Sequence, residues 1–173
     1  DKDSEVKAFF KKLGLYFSKG YIGLFRGTPM MVQAILLYYL VPFAISQATG
    51  IPMDTMNKIF TWFVSGLITV SLNTTAYLAE VLRGGIESLD QGQTEAARSL
   101  GLSYWKTMLY VILPQALKNS MPSIGNEFVI NIKDTSVLNV IGCAEMYFIL
   151  NTSAATNYKY MEQMIVGAII YLI

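Results

Sequence analysis

Histidine is absent from these 173 residues, and Cys143 is the sole cysteine. Those two facts remove Ser-His-Asp triads, Cys-His dyads, His/Cys zinc sites and any disulfide within the chain. Neither a GxxxxGKS/T loop nor a GxGxxG fingerprint occurs, so the chain holds no nucleotide by either device. Charge is scarce: Asp, Glu, Lys and Arg make up 14% of the residues, where a soluble domain carries about 25%. The net charge of +1 sets up no global field that favours nucleic acid or acidic partners. The N-terminal "DKDSEVKAFFKKLGLYFSKG" is charged and lacks the apolar core of a signal peptide. What is abundant is apolar surface, 53% of the residues, with a mean hydropathy of +0.42. The class is a membrane protein, all-α: a polytopic helix bundle.

Residues 5 to 25 read as a basic amphipathic helix that lies on the membrane surface. Val6, Phe9, Phe10, Leu13, Phe17, Ile22 and Phe25 alternate there with Lys7, Lys11, Lys12 and Lys19. Thr28 and Pro29 suit the start of the next helix. Its charge-free run from Met30 to Ser46 is close to the roughly 17 to 25 residues a span needs. "TGIPMDTMN" reads as a loop, and Ile59 to Leu82 as the strongest span, with Asn73, Thr74 and Thr75 inside it. "RGGIESLDQGQT" is polar and turn-rich. Gln93 to Leu100 then forms a short helix, started by Asp90 or Thr94 and stopped by Gly101. Ser103 suits the cap of a helix running from about Tyr104 towards Asn131, with bends expected at Pro114 and Pro122. Residues 143 to 157 read as a loop, and Tyr158 to Ile173 as a last apolar helix. The expected layout is a single domain over 1–173: an interfacial helix at 1–27, membrane helices at about 28–47, 59–83, 107–135 and 158–173, and a polar loop at 90–106.

Charge orients this layout. Lys2, Lys7, Lys11, Lys12, Lys19, Arg26, Arg83, Arg98, Lys106 and Lys118 gather on the side of the 85–107 loop, and only Lys58 and Lys159 lie on the other. By the positive-inside rule the 85–107 loop is cytoplasmic.

Two polar constellations stand out, the first a structural closure of the inner mouth and the second a candidate for chemistry. Glu80, Arg83 and Glu87 stand three and four residues apart, the spacing of an ion-pair ladder on one helix. Ser120, Ser123, Glu127, Asn131 and Asp134 fall along one helical stripe, flanked by Asn119, Asn126 and Lys133. Ionisable groups at membrane depth face an interior cavity or one another. In one reading Glu127 and Asp134 accept the ammonium of a zwitterion, while Lys133, Asn126 or Asn131 meet its carboxylate. In the other, the same groups pair across a dimer and hold helices together. Asn73, with Thr74 and Thr75, either lines the same route or bonds within its own helix.

Glu95-Ala96-Ala97, Gly101 after three further residues, and Val111-Ile112-Leu113-Pro114 together resemble the EAA loop of ABC importer permeases. Val111 stands where isoleucine is usual, a swap that keeps a β-branched apolar side chain. "FRGTP" at 25–29, "NTTAYLAEVLRGGI" at 73–86, "GQTEAARSLG" at 92–101, "ILPQAL" at 112–117 and "NEFVINIKDTSVL" at 126–138 are similar to the polar amino-acid uptake branch. The resemblance runs from Tyr21 to Ile173. Members carry a further membrane helix before the basic segment and continue past the last helix, so the chain reads as trimmed at both ends.

The resemblance implies a non-catalytic permease subunit of the bacterial cytoplasmic membrane. It implies a short cytoplasmic coupling helix in which Glu95, Ala96, Ala97, Arg98 and Gly101 meet a separate ATPase subunit. That partner would bind ATP and magnesium, with no cofactor and no metal in this chain. It further implies an extracytoplasmic amino-acid-binding protein or domain, a second permease copy or homologue, and a surrounding lipid bilayer, with no nucleic acid. The substrate pathway is expected at Glu127, Asp134, Asn131, Lys133, Asn126 and Asn73. A self-contained channel or ion-driven carrier is the alternative, and it would have no need of the EAA helix. A membrane-embedded enzyme fits less well: Glu127 and Asp134 are its only carboxylate pair, roughly 10 Å apart along a helix.

Overall fold

The computed structural model describes residues 2–172, with the side chains of residues 2–7 and 9–11 outside the described set. Regular structure among the described residues is helical throughout: α1 (Lys2–Gly27), α2 (Met30–Ile35), α3 (Val41–Thr49), α4 (Met53–Ile59), α5 (Trp62–Glu87), α6 (Gln91–Ser99), α7 (Tyr104–Thr107), α8 (Leu113–Asp134), α9 (Met146–Asn157) and α10 (Tyr160–Tyr171). Two π-turns, Leu36–Leu40 and Met108–Ile112, and a 3-10 segment, Thr135–Ile141, complete the series. The all-α class expected from composition is the class observed.

Met30–Thr49 is long and apolar enough to cross a membrane as one helix. Two further candidates are bent pairs: Met53–Ile59 with Trp62–Glu87 at 58°, and Tyr104–Ile141 with Met146–Asn157 at 55°. The chain divides into two compact units. The first comprises 1–24 and 74–129, the second 25–73 and 130–173. The divisions fall inside α1, α5 and α8.

Each π-turn stands directly before an X-Pro pair, Val41-Pro42 in one case and Leu113-Pro114 in the other. A proline has no N–H, and its ring presses on the carbonyl four residues earlier. Here those carbonyls belong to Tyr38 and Tyr110. A widened turn moves them aside and re-pairs the backbone with i→i+5 bonds. Val41 N accordingly donates to the Leu36 carbonyl, and Leu113 N to the Met108 carbonyl. The expected bend at Pro114 is therefore a π-turn just upstream of it, whereas α8 runs on through Pro122.

Three segments differ from the sequence reading. α4 replaces the loop at 49–57: Pro52 precedes its first turn, Asp54 lies in that turn and Lys58 in the last, both matching the helix dipole. α5 runs past Leu82 to Glu87 through Gly84 and Gly85, the second of which is held by the packing described below. α9 replaces the loop expected at 143–157. Its cap is the Glu145 carboxylate, which accepts from Tyr147 N at 2.7 Å and Phe148 N at 2.6 Å. Its stop is Tyr158, held at φ +55 without being glycine. Neither is a usual helix boundary residue.

In the second unit a small core of Ala34, Leu138 and Ile141 is covered by Tyr38, Val70 and Cys143. Gly66 lets α5 approach, since a Cβ there would lie 3.2 Å from Leu138 Cδ1. The α9–α10 hairpin closes in the same way, with Gly167 facing Leu150. In α1, which spans the expected interfacial helix, Lys12, Leu13, Phe17 and Lys19 are exposed. The side chains of Val6, Lys7, Phe9, Phe10 and Lys11 lie outside the described set.

Candidate functional site

The short helix α6 is defined at both ends by side-chain and backbone chemistry. Asp90, in extended backbone at the N-cap, accepts a hydrogen bond from Gly92 N at 2.6 Å. Of the two candidate starters it is Asp90, not Thr94, that caps. At the other end Gly101 adopts φ +83. Its N–H donates to the Arg98 carbonyl at 2.9 Å, and Leu102 N–H to the Ala97 carbonyl at 3.3 Å. That pair of bonds is a Schellman motif, which requires a left-handed residue at the Gly101 position. Ser103 occupies the cap position of α7 without a side-chain bond.

Of the residues on α6, Ala97 is buried at 5% exposure and faces the protein. Glu95, Ala96 and Arg98 are exposed, and Leu100 is 85% exposed. No ion pair joins Glu95 to Arg98 among the described residues. The helix therefore presents two charges of opposite sign, one small residue and one bare leucine to its surroundings. Beyond it, Tyr104 and Trp105 meet edge to face at 5.6 Å and are also exposed.

The helices flanking α6 in sequence are clamped together inside the first unit. A Cβ built on Gly85 would meet Ser120 Oγ at 2.0 Å and the Ala116 carbonyl at 2.9 Å, so only glycine permits this crossing of α5 and α8. Ser120 Oγ donates to the Val81 carbonyl at 3.4 Å. On the outer side of α5, Arg83 forms the expected ladder, bonding Glu80 at 2.7 Å and Glu87 at 2.7 Å. Arg83 and Glu87 are exposed and Glu80 is half-buried, so solvent screens these pairs and they contribute little to stability.

The polar stripe of α8 is not uniformly oriented. Ser120 and Glu127 are buried at 3% and 8% exposure. Glu127 has an interaction partner in the chain, as does the half-buried Asn131. Ser123, Asn126, Lys133 and Asp134 are exposed. Ser120 is occupied by the Gly85 crossing. Asn73 is buried at 7%, and both its amide hydrogens are committed: Nδ2 donates to the Phe25 carbonyl at 3.1 Å and to Gln33 Oε1 at 3.3 Å.

Gln33 was not legible as a site residue, yet it organises the 25–29 turn. Its Nε2 lies 2.9 Å from the Phe25 carbonyl, 3.0 Å from the Thr28 carbonyl and 2.8 Å from Thr28 Oγ1. The end of α1 exposes carbonyls that have no helical partner, and Gln33 with Asn73 supplies donors for them. Thr28 is thus an acceptor for Gln33 rather than the cap of α2, whose N-cap is Pro29. Gln115, quoted above only as part of a run, bonds both the Val111 carbonyl at 2.9 Å and Gln93 Oε1 at 3.2 Å. No group of three or more metal-ligating side chains is present among the described residues.

Residues 7–173 match the family described as binding-protein-dependent transport system inner membrane component. The glutamine transport system permease protein GlnP of Escherichia coli strain K12 is 38% identical over 153 residues, 88% of this chain and 65% of that protein. The arginine transport system permease protein ArtQ of Bacillus subtilis is 34% identical over 159 residues, 92% of this chain and 68% of that protein. A solved structure titled as an amino acid ABC transporter with histidines superposes with a TM-score of 0.74 at 38% identity, covering 89% of this chain and 66% of that one. The chain thus spans 65% of the length of the E. coli relative.

Proposed function

This chain belongs to the family of binding-protein-dependent transport system inner membrane components, and from that premise we propose that it is the permease subunit of an ATP-driven importer of polar amino acids. Its place is the bacterial cytoplasmic membrane, crossed several times. An ATPase subunit hydrolyses ATP, an extracytoplasmic binding protein or domain delivers the amino acid, and a second permease copy or homologue completes the pore. The substrate class is supported by relatives named for glutamine and arginine transport.

The observation that carries this reading is α6. It is capped at both ends, tied to the protein through Ala97, and exposes Glu95, Ala96, Arg98 and Leu100. A nine-residue helix has too little intrinsic stability to stand alone, so its caps and its anchorage make it a rigid handle. Its exposed face offers a soluble partner an apolar tip and a close backbone approach at Ala96. A channel or ion-driven carrier has no use for such a handle. The test is capture of the ATP-binding subunit by the intact permease. Ala96→Lys should leave the permease in the membrane and abolish capture and ATP-driven uptake. Normal uptake by that variant would sink the assignment.

For the substrate route, α8 contributes candidates of two kinds. Exposed Asn126, Lys133 and Asp134 are available to a ligand or to a second copy, while Glu127 and Asn131 act from partnered positions. Asn73 is assigned instead to holding the 25–29 turn, because its amide is committed to Phe25 and Gln33. Asp134→Asn and Lys133→Gln should change the apparent affinity for amino acid if these groups touch it. Unchanged uptake with a weakened permease dimer would assign them to pairing between copies.

A further inference from the structure

The second π-turn lies between the exposed handle and the membrane helix that follows it. A widened turn is a soft place in a helix, since its carbonyls lie off the regular ladder. Force applied at α6 would be absorbed there unless the turn were braced. Gln115 supplies that brace. Its single Nε2 group donates to the Val111 carbonyl inside the π-turn at 2.9 Å and to Gln93 Oε1 on α6 at 3.2 Å. The side chain leaves α8 one residue after Pro114 and spans the turn to the helix beyond.

We propose that Gln115 is a positioning residue for energy coupling, a splint that makes α6, the Met108–Ile112 turn and the start of α8 move as one body. The inference rests on the coupling reading of α6 given above. The close Gly85 crossing with Ala116 and Ser120 supports it, because it fixes α5, the helix that enters α6, against α8, the helix that leaves it. The handle is then held at three points: by the chain on either side, and by Gln93–Gln115 across the middle. Motion imposed on α6 has no local outlet and tilts α5 and α8 together within this unit. At the first π-turn the corresponding residue, directly after Pro42, is Phe43, which has no side-chain donor.

The test uses the permease with its ATP-binding subunits in proteoliposomes, with radiolabelled glutamine and arginine as probes, and reads amino acid taken up per ATP hydrolysed. Gln115→Leu should bind the ATP-binding subunit and hydrolyse ATP as before, while uptake per ATP falls by roughly two- to tenfold, the scale set by one hydrogen bond. Gln93→Leu combined with Gln115→Leu should be no worse than Gln115→Leu alone, since both remove the same link. Gln93→Lys with Gln115→Glu should restore coupling by replacing the bond with an ion pair. Should Gln115→Leu fail to accumulate, Gln115→Glu alone, which keeps the size and loses the donor, gives the same measurement. A wild-type ratio in Gln115→Leu or Gln115→Glu, or losses that simply add in the double variant, would overturn the splint. Failure of the unaltered permease to capture the ATP-binding subunit is a separate result that removes the coupling reading as well.

Discussion

The two π-turns are built from the same local sequence logic and are held in place by different means. LLYYL precedes Val-Pro, MLYVI precedes Leu-Pro, and in both the carbonyl displaced by the proline ring belongs to a tyrosine. Around the first, Tyr38 packs on the buried Ala34, Leu138 and Ile141, an apolar tie, while Leu36, Tyr39 and Leu40 are exposed. Around the second, Leu109 and Tyr110 are exposed and Ile112 is buried, and Gln115 adds a polar tie from the turn to Gln93 on α6. Apolar packing is non-directional and tolerates sliding, whereas a hydrogen bond between two side chains holds one register. The directional tie lies in the region proposed above to transmit a push.

The largest effect should come from attacking the packing around the first turn. Leu138→Ala removes the centre of that small core, and losses of about 2–5 kcal/mol follow from emptying such a site. Thermal unfolding in detergent should show a clear drop. If the drop matched that of an exposed leucine such as Leu109→Ala, the apolar tie would contribute little at the first turn. Next in size is Gly85→Ala. The added methyl has no room beside Ser120 and the Ala116 carbonyl, and forcing it in costs about 1–3 kcal/mol. Ser120→Gly in the same chain should recover part of the loss, since it removes the nearest atom. No recovery would mean that the Ala116 carbonyl sets the limit.

These two variants also show what was legible beforehand. Gly101 as a stop and Asp90 as a cap are readable because each is a residue whose conformation or oxygen the boundary needs. The EAA helix is accordingly where the sequence places it. α9 was hidden because Glu145 caps with a carboxylate one carbon longer than the usual one, and Tyr158 takes a backbone conformation normally left to glycine. The Gly84-Gly85 pair reads as a turn, and nothing local says that the second glycine is a crossing point. That fact belongs to Ser120, more than thirty residues away in sequence. Gln33 and Gln115 are invisible for the same reason. A lone glutamine in an apolar run gives no sign of which carbonyl it serves until the fold brings one near. The α8 stripe shows the converse: its periodicity is real, but Ser120 is taken by packing and Lys133 and Asp134 are exposed.

A smaller effect tests the handle itself. Asp90→Ala removes the bond to Gly92 N, and loss of such a cap costs about 0.5–2 kcal/mol. Because the Asp90 bond serves only the first turn of α6, fraying should be local. Backbone hydrogen exchange over 91–95 should speed up while the rest of α5 and α8 stays protected. Exchange that rose equally across α5 and α8 would mean the cap supports the whole unit, and the picture of a discrete handle on a rigid frame would fail.

The smallest predicted change has the opposite sign. Gly84 and Gly85 are adjacent on α5, yet a Cβ on Gly84 meets nothing within 4 Å, whereas one on Gly85 collides with Ser120. Helical glycine is less favourable than alanine by roughly 0.5–1 kcal/mol, so Gly84→Ala should raise the melting temperature slightly. The two neighbours share a propensity and a helix, but Gly84 is exposed and Gly85 is buried, because the bond to Cβ points a different way at each. If Gly84→Ala stabilises and Gly85→Ala destabilises, the second glycine is held by the crossing alone. If both destabilise, α5 needs flexibility at this level, and the flexible element in the coupling path is the end of α5 rather than the braced π-turn of α8.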